Sequence, residues 1–148
     1  MREHSEGELR WKLRRKGYDR AVIEQTIVKY RRQGAVDDAR FAQMIGRSLM
    51  QRRPCGMAYL RARLQRKYIT RELAEETAQM LFAGTNENDL AVEALRQRWV
   101  RFSQFELERA RRKAYNYLAR RGFGRSAATT AFEQLWSEQT EENRNQDR

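Results

Sequence analysis

One eight-residue pattern occurs three times in this chain of 148 residues. It reads LRRKGYDR at Leu13–Arg20, LQRKYITR at Leu64–Arg71 and LARRGFGR at Leu118–Arg125, so the copies begin 51 and 54 residues apart. Each copy has a leucine, two cations, a glycine or tyrosine, an apolar residue and a final arginine. Self-similarity at a nearly fixed period is the signature of a repeat architecture, in which each module mainly contacts its neighbours. The pattern therefore predicts an elongated array of tandem repeats.

Helical signals surround every copy of the pattern. Apolar residues recur at i and i+4, as at Leu60 and Leu64, and no stretch shows sustained alternation with period two. Capping residues mark the expected helix starts, namely Ser5, Asp19, Asp37 or Asp38, Thr70, Asn86 and Ser103, the last as a capping box with Glu106. We therefore predict an all-α fold of eight helices, with Leu95 and Trp99 on the sixth.

The breaks near residues 54 and 103 divide the chain into repeats. We predict a three-helix repeat at 1–53, a second at 54–102, a partial repeat at 103–137 that lacks its third helix, and a polar tail at 138–148. Pro54 cannot continue a helix comfortably but can open one. The composition of the tail predicts that it is frayed or disordered.

The charge of the chain points to a polyanionic partner. The formal net charge is +11, which favours nucleic acid or an acidic protein surface, although a cationic protein without such a partner remains an alternative. Cations at a helix C-terminus offset the macrodipole. That effect does not explain Arg20, Arg71 and Arg125, which fall at the start of the next helix. The candidate contact residues are Arg14, Arg15, Lys16, Arg20, Arg66, Lys67, Arg71, Arg111, Arg112, Lys113, Arg120, Arg121 and Arg125.

No catalytic or metal-binding pattern is evident. His4 and Cys55 are single residues of their types, and adjacent carboxylates such as Asp37–Asp38 point about 100° apart on a helix. We predict a protein without enzymatic activity, metal or cofactor. The sequence has no apolar run of membrane-spanning length and no signal-peptide core. We therefore expect a cytoplasmic monomer without a membrane partner.

Two tryptophans and one arginine outside the repeated pattern are interpreted from their positions in the sequence. Trp99 lies on an apolar stripe, which favours the core over a base-stacking role. Trp11 is consistent either with an exposed contact or with packing on a neighbouring module. Arg40 is expected to pair with Asp37 at i−3.

Four stretches, in this order, resemble the RecX family of bacterial recombination regulators. They are HSEGELRWKLRRKGYD near the start, GAVDDARFA at Gly34–Ala42, YLRARLQRKYI at Tyr59–Ile69 and KAYNYLARRGF at Lys113–Phe123. The resemblance extends over about residues 3–136. Tyr68 departs from the family, which usually has glycine there, so the turn is expected to lack a left-handed residue. The chain also starts almost directly at the first repeat, whereas some members carry an extra N-terminal helix.

The resemblance implies a function. RecX-like proteins are not enzymes; they bind the RecA recombinase as a filament on single-stranded DNA, across neighbouring subunits, and hinder filament growth. Strand exchange, ATP hydrolysis and co-protease activity fall as a result, which modulates DNA repair and the SOS response. Members also bind DNA directly. Two alternatives stay open: a DNA-binding protein that acts independently of RecA, and an adaptor for another acidic protein.

Overall fold

A computed structural model describes residues 3–148, and within that range the chain is helical without strands. Nine helices occur among these residues, so the predicted all-α fold is confirmed and the predicted number of eight is wrong. They are α1 (Glu6–Arg15), α2 (Arg20–Arg32), α3 (Asp38–Arg52), α4 (Met57–Arg66), α5 (Arg71–Phe82), α6 (Glu87–Arg96), α7 (Trp99–Ser103), α8 (Leu107–Arg120) and α9 (Arg125–Gln146).

The additional helix is α7. Arg98 has φ −125° and ψ 15°, so Trp99 does not continue α6 but begins a separate short helix. Ser103 ends α7 instead of capping α8. The carboxylate of Glu106 caps α8, accepting from the backbone N–H of Arg109 at 2.7 Å. No glycine or proline lies between α6 and α7, which is why the break was not predicted.

The other predicted helix starts are confirmed by their side-chain caps. The Ser5 hydroxyl accepts from the backbone N–H of Glu8 at 3.1 Å, and the Asp19 carboxylate accepts from that of Val22 at 2.9 Å. Asp37, Thr70 and Asn86 accept in the same way at the starts of α3, α5 and α6. Pro54 precedes α4 by three residues and lies outside its first turn.

The chain forms two compact units. The first comprises the described residues up to Leu49 together with Arg61–Leu81. There Glu6 connects α1 to α2 and α3: its carboxylate accepts from the Arg31 side chain at 2.6 Å, and its backbone N–H donates to Asp38 at 2.8 Å. Arg10 adds an ion pair with Glu24 of α2 at 2.9 Å.

The second unit comprises Met50–Leu60 together with Phe82–Arg148. Its core lies where α9 packs against α6 and α8 and combines alanine and leucine side chains with a cluster of aromatic rings. The fully buried Phe132 ring lies 5.8 Å from Trp99 and 5.6 Å from Trp136 between centroids. Trp99 therefore belongs to the core, as predicted.

The polar C-terminal residues continue α9 as far as Gln146, so the prediction that the whole of 138–148 is frayed or disordered is wrong. Two contacts anchor the first part of this extension. Arg96 of α6 donates to Glu138 at 2.8 Å, and the Trp99 indole N–H donates to Gln139 at 2.9 Å. These contacts hold polar residues that the hydrophobic pattern alone would have left without an anchor.

Candidate functional site

The three copies of the repeated pattern have the same backbone structure. We name them joint 1 (Leu13–Arg20), joint 2 (Leu64–Arg71) and joint 3 (Leu118–Arg125). In each joint a helix ends at the third residue and the next helix begins at the eighth. The N–H of the sixth residue donates to the carbonyl of the leucine, at 3.3, 3.2 and 3.0 Å respectively. This bond and the accompanying one from the fifth residue form a Schellman motif, which ends a helix by satisfying its last carbonyls.

The fifth residue of each joint is left-handed. Gly17 has φ 90° and Gly122 has φ 84°, and Tyr68 has φ 64° although it carries a side chain. The expectation that joint 2 lacks a left-handed residue is therefore wrong. A non-glycine residue in this region costs roughly 1–2 kcal/mol. The two hydrogen bonds and the packing of joint 2 hold Tyr68 there.

Joint 2 is covered by the start of α1. The Ser5 hydroxyl donates to the carbonyl of Lys67 at 2.6 Å, and Ser5 is fully buried. Gly7 lies so close that an added methyl group would overlap Cβ of Tyr68. The small residues at the start of α1 therefore permit this close approach.

Joint 3 is covered in the same way by the start of α4. The backbone N–H of Gly56, which precedes α4, donates to the carbonyl of Arg121 at 2.8 Å. A methyl group at Gly122 would overlap the backbone nitrogen of Tyr59. Joint 1 differs, because apart from Gly17 and its two chain neighbours no described atom lies within 4 Å of the place where a Gly17 Cβ would stand.

Some of the predicted contact residues have structural partners. The Arg121 guanidinium lies 4.2 Å from the Tyr59 ring centroid and donates to the carbonyl of Pro54 at 3.3 Å. Arg111 is half-buried and pairs with Glu108 at 3.3 Å. Arg15 lies over the Trp11 ring at 4.7 Å. Arg121 and Arg111 therefore have roles in the fold.

The other predicted cations remain accessible at the joints. Within the described part of the chain, the following are exposed and make no side-chain hydrogen bond or ion pair: Arg14, Lys16 and Arg20 at joint 1, Arg66 and Arg71 at joint 2, Arg112 on α8, and Arg120 and Arg125 at joint 3. Each joint thus presents arginines at the end of one helix and at the start of the next. Lys67 and Lys113 are half-buried.

The second unit also contains a cavity of about 570 Å³ between α7 and α8. Four cations line it: Arg98, Arg101, Lys113 and Arg120. Lys113 and Arg120 are among the predicted contact residues, but Arg98 and Arg101 are not. Sequence reasoning missed them because they belong to the unpredicted break and to α7.

Two other expectations are resolved by the structure. Trp11 is 43% exposed, which decides between the two interpretations in favour of an exposed ring. Arg40 does not pair with the Asp37 carboxylate through its side chain. Its guanidinium donates to the carbonyl of Gly34 at 3.2 Å and lies 3.5 Å from Glu3, while Asp37 accepts from the Arg40 backbone N–H.

Among residues 3–148, no group of three or more His, Cys, Asp or Glu residues is arranged to hold a metal ion. Cys55 is buried, and desolvation raises the pKa of its thiol. None of the described helices combines the length and the apolar character needed to span a bilayer.

Comparisons with known proteins agree with the repeated architecture. Residues 1–29 match the family profile described as "RecX, first three-helix domain", and residues 37–77 match "RecX, second three-helix domain". A regulatory protein RecX from Syntrophotalea carbinolica is 35% identical over 124 residues, which cover 82% of this chain and 80% of the relative. One from Amycolatopsis mediterranei is 31% identical over 134 residues, covering 90% and 76%.

The chain belongs to the RecX family. The crystal structure of RecX from Lactobacillus salivarius has the same fold, with a TM-score of 0.76 at 20% identity, over 90% of this chain and 86% of that one. The relatives carry the name regulatory protein RecX, which supports a regulatory role for this chain.

The boundaries of the two RecX domain matches differ from the repeat boundaries that were predicted from the sequence. The second match, at residues 37–77, runs from the start of α3 into α5 and crosses the boundary predicted between residues 53 and 54. A periodic array of helices can be divided at more than one point. The repeat boundaries therefore stay a prediction, and so does the role of the joint cations in binding.

Proposed function

We propose that this RecX-family chain binds the RecA recombinase, assembled as a filament on single-stranded DNA, and lowers its strand-exchange, ATPase and co-protease activities. It does so as a monomer and without catalysing a reaction. Through RecA it modulates DNA repair and the SOS response. The observation that carries the proposal is the same cationic joint, built three times with exposed arginines, in a chain whose relatives are regulatory RecX proteins.

The physical reason is multivalency. A filament presents the same surface at every subunit, and a chain with repeated joints can contact several subunits at once. Once one joint is bound, the next binds at a high effective concentration, so weak contacts combine into stable attachment. The arginines suit either acidic side chains of RecA or DNA phosphates, because their planar guanidinium groups form paired hydrogen bonds to both.

The test is a titration of the DNA-dependent ATPase of RecA with this protein. Charge-reversal pairs change one joint at a time: Arg14→Glu with Arg20→Glu, Arg66→Glu with Arg71→Glu, and Arg120→Glu with Arg125→Glu. The matched control is Arg47→Glu with Arg144→Glu, which reverses two exposed cations outside the joints. We expect the joint variants to require more protein for half-inhibition than the control.

Two results would contradict the proposal. One is the absence of inhibition at any ratio of the unmodified protein to RecA. The other is equal loss of inhibition in the joint variants and in the control, which would assign the effect to net charge alone.

A second candidate function is nucleic-acid binding independent of RecA. The net charge of +11 and the exposed arginines favour it. On single strands, the logarithm of the binding constant should then fall with the logarithm of salt concentration at about −0.7 per phosphate contact. If RecA inhibition disappears at the salt concentration that abolishes direct DNA binding, this second function is favoured. If inhibition persists above it, contact with RecA itself is favoured.

A further inference from the structure

The repeated apolar positions of joint 1 are open to solvent, whereas those of joints 2 and 3 are buried. The sixth residue of joint 1, Tyr18, is 52% exposed, and its counterparts Ile69 and Phe123 are buried. The leading leucine is half-buried in joint 1, at Leu13, and fully buried in the other two joints. No residue of α1 is buried. Joint 1 therefore has the apolar residues of a packed joint without the packing.

In joints 2 and 3, the start of a helix supplies what joint 1 lacks. The carbonyl of the fourth residue accepts from the Ser5 hydroxyl at joint 2 and from the Gly56 N–H at joint 3, at 2.6 and 2.8 Å. Both donors stand directly before a helix, α1 or α4. The corresponding carbonyl of joint 1 belongs to Lys16, and no hydrogen bond to it occurs among the described residues. The chain therefore shows twice which kind of element covers a joint.

The charges of joint 1 indicate which helix starts suit it. The end of a helix carries partial negative charge on its carbonyls, and the start of a helix carries partial positive charge on its free N–H groups. The two ends therefore attract each other. Exposed Arg14, Lys16 and Arg20 surround the end of α1. These cations favour a helix start with carboxylates in its first turn, and α1, which covers joint 2, has Glu6 and Glu8 there.

We propose that joint 1 is a docking surface for the first turn of a helix of a partner protein, with a serine or glycine directly before the helix and acidic residues in the turn. The small residue donates to the carbonyl of Lys16, and the carboxylates pair with the arginines. The turn covers Leu13 and Tyr18. Val22, four residues after Tyr18 and 42% exposed, extends the apolar area. This surface accepts such a helix whichever protein carries it, so the site goes beyond the proposed contact with RecA.

A nucleic-acid strand satisfies joint 1 less completely than a helix start does. Its phosphates would pair with the cations, and a base could stack on Tyr18. Phosphate oxygens only accept hydrogen bonds, however, so they cannot donate to the carbonyl of Lys16. In both covered joints a protein element donates to this carbonyl. The helix start is therefore favoured, and displacement by an oligonucleotide becomes one outcome of the test.

The experiment is an NMR titration of the isotope-labelled protein with a synthetic peptide that has the sequence of residues 3–13, which contain the start of α1. A scrambled peptide of the same composition is the control, because it has the same charge without the order of a helix start. A peptide of this length is only marginally helical, so its binding is weak and the titration extends to high peptide concentration. We expect the backbone amide resonances of Leu13–Arg20 to shift with the first peptide and not with the scrambled one.

Paired variants test whether the apolar residues of joint 1 contribute. The joint variant is Tyr18→Ser with Val22→Ser. The matched control is Tyr30→Ser with Val28→Ser, which removes the same two types of exposed side chain nearer the end of α2. We expect the joint variant to bind the peptide roughly tenfold more weakly than the control, because the apolar area that the peptide covers is lost.

Four results would overturn the inference. They are equal shifts with the scrambled peptide, shifts confined to joint 2, equal loss of affinity in the joint and control variants, and displacement of the peptide by oligodeoxythymidylate with the same shifts at Leu13–Arg20. The last would assign the surface to nucleic acid. Failure here is distinguishable from failure of the proposed function. Peptide binding by a protein that does not inhibit RecA would support the docking surface alone, and RecA inhibition without peptide binding would support the proposed function alone.

Discussion

At the scale of single residues, the fifth position of each joint determines how a helix ends. Gly17, Tyr68 and Gly122 share the left-handed conformation, but their surroundings differ. Space is open around Gly17, whereas Gly122 lies against the backbone of Tyr59. The same backbone geometry therefore has different tolerance for a side chain at different joints.

We predict that Gly122→Ala destabilises the protein more than Gly17→Ala. Gly17→Ala carries the cost of a left-handed side chain, about 1 kcal/mol. Gly122→Ala carries that cost and a clash that the neighbouring main chain cannot relieve without moving, for a total above about 3 kcal/mol. Urea unfolding followed by circular dichroism measures both. An equal loss in the two variants would contradict the close packing of joint 3.

At the scale of helices, the carboxylate of Glu6 is one of the groups that hold α1 to α2. The hydrogen bond from Arg31 is the main cause that lowers the pKa of Glu6, and the charges of Arg31 and Arg10 act in the same direction. Burial raises the pKa of the neighbouring Asp38. Acidification therefore removes a stabilising contribution at Glu6 and relieves a destabilising one at Asp38.

We predict that the destabilisation caused by Glu6→Gln depends on pH. A carboxyl group whose folded pKa is lowered stabilises the fold above its unfolded pKa of about 4.3, and this contribution is lost as the pH falls through the folded value. The difference between the unmodified protein and the variant should be full at neutral pH and should shrink below about pH 4. Chemical unfolding across this range measures it. Glu72→Gln, at an exposed position, corrects for net charge, and a difference that stays constant in acid would refute the assignment.

We predict that the end of α9 is protected from hydrogen exchange only as far as its contacts with α6 and α7 extend. Backbone amides up to about Gln139 should exchange slowly, and those after Glu142 should exchange quickly, because residues from Glu141 onward are exposed. Trp99→Phe removes the donor to Gln139 and should speed exchange around that residue. Fast exchange throughout residues 133–146 in the unmodified protein would contradict the anchored helix.

The helix boundaries at the joints were predictable because leucine, glycine and a capping residue occur at the spacings that a helix stop requires. The left-handed conformation of Tyr68 was not predictable, because residues that carry a side chain rarely adopt it and only the packing of joint 2 holds Tyr68 there. The break before α7 was not predictable either, because Gln97 and Arg98 are compatible with a continuous helix. The cavity depends on that break, so Arg98 and Arg101 were missed with it.

At the scale of the whole molecule, the two units are stabilised differently. The second unit buries a cluster of rings around Phe132, whereas the buried side chains of the first are mainly aliphatic, such as Ile23 and Ile27, with the ring of Phe41 among them. Large aromatic side chains bury more apolar area per residue. A single core substitution in the second unit should therefore be among the most damaging changes in the chain.

We predict that Phe132→Ala lowers the free energy of unfolding by about 3–5 kcal/mol, because it empties a fully buried site surrounded by three other rings. Val100→Ala, at a position that is 83% exposed in the same unit, should change stability by less than about 0.5 kcal/mol. Thermal unfolding followed by tryptophan fluorescence compares them. A small effect of Phe132→Ala would mean that the ring cluster contributes little to the fold.

The packing of α1 on joint 2 and of α4 on joint 3 determines which positions there tolerate substitution. The bond from Gly56 to Arg121 joins two main-chain groups, and the one from Ser5 to Lys67 needs a hydroxyl on one side only. Because the accepting carbonyls belong to the backbone, substitution at positions 67 and 121 leaves the acceptors in place. The packing limits the size of the side chains at positions 7, 56 and 122 and places no such limit on the side chains at positions 67 and 121. Close packing through main-chain groups is compatible with the fold that this chain shares at 20% identity with the RecX of Lactobacillus salivarius.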